Sequence, residues 1–154
     1  MIRIIALGKI KDKHLKALID DYILRIGRYH KIEVLELKDE TITDNNSTAN
    51  IIETEGKRVM EKLGESDYVV ALDLHGKMMD SLEFARNIDH ILTHNRNLTF
   101  VIGGSLGISK EITDRANLRL KLSDMTFLHQ MTRLILTEQI YRAFKILNHD
   151  TYHK

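Results

Sequence analysis

Five times along this chain of 154 residues an apolar, strand-like run gives way to a segment whose apolar residues recur at helical spacing. That alternation restricts the fold more than any other feature. Ile2 to Leu7 is apolar and β-branched, and Leu15, Leu18, Ile19, Tyr22, Ile23 and Ile26 then follow a helical period. Ile32, Val34, Leu35 and Leu37 mark a second strand, and Ile51, Ile52, Val59, Met60 and Leu63 the helix after it. Tyr68 to Leu74 is an apolar run broken only by Asp73, as expected of a strand covered on both faces. Asp80 and Ser81 supply caps for a helix whose buried side carries Phe84, Ala85, Ile88 and Leu92. Leu98 to Ile102 forms a fourth strand, Ser109 caps a short helix, Leu118, Leu120 and Leu122 alternate in a fifth strand, and Met131 to Leu147 closes the chain as a helix. The pattern predicts one α/β domain over residues 1–154, a mostly parallel sheet with helices on both faces.

Composition narrows the function. The longest apolar stretches run to five or six residues, far short of the ~20 a membrane helix needs, so no membrane partner is expected. The N-terminal MIRIIALGKI enters a strand directly, without a small-residue cleavage site, which argues against a secretory signal. The absence of cysteine removes disulfide, thiolate and cysteine–zinc chemistry and fits the reducing cytoplasm in which we place the chain. A net charge of +1 is too small for a protein that grips free nucleic acid by charge alone. An RNA partner would have to be met by a local patch or a composite surface. The eight histidines do not cluster as a metal site would, and no metal site is expected.

The loop Gly103-Gly104-Ser105-Leu106-Gly107 stands between a buried strand and a helix start. It lacks the Gly-x-Gly-x-x-Gly spacing of dinucleotide folds and the Gly-Lys-Ser/Thr of phosphate loops. It does match Gly-x-Ser-x-Gly, with Asp124 and His149 following in hydrolase order, so a serine hydrolase using Ser105 is one reading. A loop that lets main chain approach a flat ligand is another, and a plain turn needing glycine for its dihedral angles is a third. The next polar loop, Ser123 to Gln130, mixes small polar and apolar groups as a ligand pocket would, or is an ordinary loop with Thr126 or Asp124 as helix cap. His129 would open the last helix, where the dipole favours its neutral form. Glu138 and Arg142 are spaced to pair. Met131, Leu134, Ile135, Tyr141 and Phe144 belong to the core or to a dimer seam. The tail His149-Asp150-Thr151-Tyr152-His153-Lys154 would fray by default, yet its side chains suit stacking on a base, contacting phosphate and moving a proton.

LGKIKDKH, ALDLHGKMMDS, FVIGGSLG, LSDMTFLHQMTR, EQIYRAFKI and the terminal YHK together resemble one family, the bacterial large-subunit ribosomal RNA pseudouridine N3-methyltransferases of the SPOUT superfamily. The likeness spans essentially the whole chain. It implies a C-terminal trefoil knot, a cofactor S-adenosyl-L-methionine, and a homodimer whose cofactor pocket lies beside the subunit interface. It further implies the assembled ribosome, with its 23S ribosomal RNA, as partner and substrate. By the match, Leu72, Gly103, Gly104, Leu122, Ser123, Asp124, Met125, Thr126 and Phe127 would hold the cofactor. Ser105 becomes a permissive loop position. The family usually carries proline where this chain has Leu128, and loss of the fixed φ is expected to loosen the loop and alter affinity.

Methyl transfer to the N3 imide needs in-line positioning and removal of a proton. His129, Tyr152 and His153 are the candidate proton handlers, and Arg142 would bind a phosphate or the developing anion. Lys9, Lys11, Lys13 and Lys16 form a basic strip suited to ribosomal RNA or to plain solvation. A non-catalytic ribosome-binding module is the rival from another class.

Overall fold

The computed structural model describes residues 1–94 and 97–154. Five strands and five helices alternate: β1 Ile2–Leu7, α1 Lys13–Ile26, β2 Ile32–Leu37, α2 Thr48–Met60, β3 Tyr68–Met78, α3 Ser81–Thr93, β4 Leu98–Ile102, α4 Lys110–Arg115, β5 Leu118–Lys121 and α5 His129–Leu147. The strands form a single sheet in the order β2-β1-β4-β3-β5, and every neighbouring pair is parallel. Each connection therefore crosses over through a helix.

Helix starts are written in the sequence. Asp12, Ser47, Asp80 and Ser109 each cap a helix by accepting an amide from its first turn, and Asp80 with Glu83 completes a capping box. The sheet then sorts the helices onto its two faces. Ile2, Ile4, Ala6, Leu98, Phe100 and Ile102 point to one side and pack with Ile26 of α1, Phe84 and Ile88 of α3, and Leu136, Ile140, Tyr141 and Phe144 of α5. Ile5, Leu7, Val69, Ala71 and Val101 point to the other, against Val59 of α2 and Ile112 of α4. Alternate residues of β1 thus serve two cores, as the period of a strand demands. Each fully buried Ile or Phe contributes about 1.5–3 kcal/mol by leaving water.

Two features position the site. First, β3 continues past the apolar run to Met78, with a register shift between Leu72 and Lys77 where it pairs with β5. The intervening residues Asp73, Leu74, His75 and Gly76 fall outside the paired register at the carboxyl end of the sheet. Second, Arg133 of α5 is 2% exposed and donates to Glu36 at 2.8 Å and to the Gly8 carbonyl at 3.0 Å. That ion pair ties the first turns of α5 to the ends of β1 and β2, so the chain leaving β5 at one edge of the sheet crosses the carboxyl ends of the strands to reach the other side. No helix among the described residues is long and apolar enough to cross a membrane.

Candidate functional site

The glycine loop is a tight turn with an internal reason for its glycines. Gly104 and Gly107 bridge each other, and the Gly107 amide donates to the Gly104 carbonyl at 3.2 Å. Gly107 has φ +107, a conformation other residues rarely adopt, and a Cβ on Gly103 would stand 2.6 Å from the Gly107 carbonyl oxygen. Turn and ligand loop are therefore not alternatives: the turn requires glycine, and the same turn lines a cavity.

That cavity, about 710 Å³, opens at the carboxyl ends of β3, β4 and β5. Leu72, Gly103, Gly104, Leu122, Ser123, Met125, Thr126, Phe127 and His129 all line it, together with Ser105. Asp124 does not; its carboxylate pairs with Lys121 on the outside of the loop. The bulge of β3 adds Asp73, Leu74 and His75, which reading by residue pattern passed over. Their signal was the charge and glycine interrupting an apolar run in ALDLHGK.

The loop that forms the cavity's mouth corrects one expectation. Neither Thr126 nor Asp124 caps α5: the cap is Leu128, which makes no side-chain cap bond. Asp124 is held by Lys121, and Ser123 Oγ turns the loop by accepting the Met125 amide at 3.0 Å. Leu128 sits at φ −55, inside the range a proline ring would impose. The backbone path expected of proline is kept without it.

His129 opens α5 with its Nδ1 buried and unpartnered among the described residues. Burial, then the neighbouring Arg133 cation, pushes its pKa below the ordinary histidine value, with Asp39 opposing. Its neutral form is the one present at neutral pH, so it enters the cavity as an acceptor or donor rather than a cation.

The other three expected catalytic residues gather elsewhere. Arg142 donates to Glu138 Oε1 at 2.6 Å and to His153 Nδ1 at 3.3 Å, and its guanidinium lies 4.8 Å over the Tyr152 ring. Tyr152 donates to Glu138 Oε1 at 3.1 Å and meets Tyr141 edge-on at 5.0 Å, so the tail is anchored rather than frayed. Burial, the Tyr22 hydroxyl and Glu138 raise the Tyr152 pKa, which favours its protonated, hydrogen-bond-donating form. Glu138, the hub of this cluster, was seen in the sequence only as a partner for Arg142. His129 and Arg142 lie 13 positions apart on α5, about 20 Å at 1.5 Å per residue. Within one chain the cavity and the tail cluster are separate.

The hydrolase reading fails on the same geometry. Ser105 lies in the glycine turn and Asp124 is paired with Lys121, whereas His149 follows the far end of a helix about 28 Å long, so no triad assembles. Of the basic strip, Lys16 pairs with Asp20, while Lys9 and Lys11 are exposed in the connection after β1 and Lys13 is exposed at the start of α1.

Residues 1–153 match the family described as "Predicted SPOUT methyltransferase". The chain is 46% identical to the ribosomal RNA large subunit methyltransferase H of Clostridium kluyveri and 48% identical to that of Acetivibrio thermocellus, in each case over 99% of both chains. Among solved structures it resembles a probable methylase family protein from Haemophilus influenzae Rd KW20, with a TM-score of 0.56 at 11% identity, over 99% of this chain and 70% of the other. That likeness shows a shared fold, and together with the full-length sequence matches it places the chain: the protein belongs to the SPOUT methyltransferase family.

Proposed function

We propose that the protein is a cytoplasmic methyltransferase of large-subunit (23S) ribosomal RNA that uses S-adenosylmethionine, methylates N3 of a pseudouridine, and acts as a homodimer on the assembled ribosome. The observation that carries this reading is the cavity itself. Its size lies in the range of small-molecule sites, and apolar groups (Leu72, Ile102, Leu122, Phe127) face a glycine turn and a polar loop rich in main-chain donors and acceptors. Those parts fit a cofactor with a flat base and a polar amino-acid tail. When bound, that cofactor supplies an electrophilic methyl carbon on a sulfonium.

The chain's own residues do the rest. Leu72, the glycine turn and residues 122–127 orient the ligand, so positioning supplies the greater part of the rate. His129, neutral and lining the cavity, is the side chain placed to accept a proton there. Arg142 and Tyr152 are preset by Glu138 as a cation over an aromatic ring, suited to a phosphate or a base. Because these lie about 20 Å from the cavity along α5, one active centre uses both only if the tail comes from a second copy. Exposed apolar side chains at Met78, Leu82, Leu128 and Met131 give that copy a surface to cover. The trefoil threading of the segment after β5 belongs to the same proposal, since α5 is reached by a chain that crosses the strand ends beside the glycine turn. The near-zero net charge supports a target held on a large assembly over free RNA.

Mixing two inactive variants tests the shared centre. His129→Ala and Arg142→Ala, each inactive alone, are expected to regain about a quarter of wild-type methyl transfer when unfolded and reassembled together, the fraction of sites with both parts intact in random dimers. No recovery in verified mixed dimers would refute the shared centre.

A further inference from the structure

Behind the glycine turn lies a charge that the proposed chemistry does not use. Glu55 of α2 is 4% exposed. Its Oε1 accepts the Glu40 amide at 2.9 Å, whereas Oε2 is buried without a partner among the described residues. That free oxygen lies 2.9 Å from where a Cβ on Gly104 would stand, and Gly104 lines the cavity. One residue without a side chain therefore separates a buried carboxylate from the ligand space.

The charges around it cancel one another and leave this one over. Arg58 of the same helix pairs with Glu40, and Arg133 pairs with Glu36 at 2.8 Å. On the cavity wall Lys121 pairs with Asp124, and Asp73 with Arg119. Asp39, from the connection after β2, acts on both Glu55 and His129 and has no ion pair among the described residues. His129 is neutral. Behind the cavity Glu55 is thus a buried carboxylate with no ion pair among the described residues, where an uncompensated charge is costly and a cation relieves it, and the exposed Asp39 adds negative charge nearby.

We infer that Glu55, supported by Asp39, makes the cavity selective for a positively charged ligand and so sets its preference for the sulfonium cofactor over the uncharged thioether product. The inference rests on the cofactor reading above. In the transfer the imide nitrogen forms a bond to the methyl carbon, the carbon–sulfur bond breaks with its electron pair going to sulfur, and the imide proton leaves to base or solvent. The ligand in the cavity therefore loses one unit of positive charge, and its attraction to Glu55 with it, which promotes product release. Two charges about 10 Å apart at an effective dielectric near 20 change affinity on the order of tenfold.

The preference depends on pH. Burial raises the Glu55 pKa, Asp39 and the Glu40 carboxylate push the same way, and the Glu40 amide and Arg58 oppose. Its charge, and the selectivity, therefore grow as pH rises through that raised value.

The test is calorimetric titration of the full chain with S-adenosylmethionine and with S-adenosylhomocysteine, each over a series of pH values that begins at the ordinary carboxylate range and rises to about pH 8. Wild type and Glu55→Gln are compared; glutamine keeps the oxygen that accepts the Glu40 amide. The wild-type preference for the sulfonium is expected to rise with pH. In Glu55→Gln it falls about tenfold at the higher pH, mainly through weaker sulfonium binding, and its pH dependence flattens. The exposed Asp39→Asn gives a smaller change in the same direction and serves if the first variant does not fold. An unchanged ratio in a folded variant, or equal loss of both ligands, overturns the inference alone. A wild-type protein that binds neither ligand overturns the cofactor reading and this inference with it.

Discussion

Leu128→Pro offers a perturbation whose sign follows from one dihedral angle. At φ −55, Leu128 already has the angle a pyrrolidine ring fixes. Its amide donates no backbone hydrogen bond among the described residues, and as the N-cap of α5 it has no preceding turn for the ring to strike. Proline would therefore restrict the unfolded chain while costing the native backbone nothing, a gain of about 0.4–1 kcal/mol. Against this stands the loss of part of a leucine side chain that is 61% exposed, about 0.3 kcal/mol. The net is about 0.5 kcal/mol of stabilisation, which at this chain length raises the melting temperature by about 1–2 °C. Calorimetry gives the melting temperature, and titration with S-adenosylmethionine gives the affinity, which should improve because the loop at the cavity mouth is ordered in advance. A fall of more than about 2 °C would refute the reasoning, since it would require that the Leu128 amide or its side chain contributes more than the geometry allows.

Gly103→Ala puts a methyl carbon 2.6 Å from the Gly107 carbonyl oxygen. Backbone cannot yield as a side chain would, so a loss of about 1–3 kcal/mol in thermal unfolding, with cofactor binding abolished, is expected. His129→Gln tests the depressed histidine pKa by linkage. Folded His129 binds its proton more weakly than the unfolded chain does, so stability from this group is present above the unfolded value of about 6.5 and is lost as pH falls below it. The variant should lose less stability than wild type between about pH 7 and pH 5 in urea titrations; parallel curves would contradict the assignment.

The fold was legible because its signals are local. Apolar runs of period two, helical spacing, and the caps Asp80 and Ser109 each depend on neighbours in the chain, and the elements fall where those signals put them. Strand order was not legible. That β4 sits between β1 and β3 follows from Phe100 and Ile102 filling a core shared by α1, α3 and α5, a choice made by residues far apart in sequence. The cavity could be named from the GGSLG and LSDMTF segments, yet the side on which Asp124 faces depends on Lys121, and the contribution of His75 depends on a register shift against β5. Glu55 carried no motif at all. It matters only because Gly104 stands beside it in space, 49 positions along the chain. The separation of His129 from Arg142 was readable from helix length alone, and the shared-centre proposal follows from that arithmetic.

The most direct test of the account is to incubate the purified protein with S-adenosylmethionine carrying a labelled methyl group and ribosomes lacking the modification, then to map the label by mass spectrometry of the digested RNA. The account predicts one methyl group at N3 of a single pseudouridine in the large-subunit RNA, dependent on an intact Gly103. A protein that binds the cofactor yet leaves all ribosomal RNA unlabelled, or that labels a different atom or base, would contradict it.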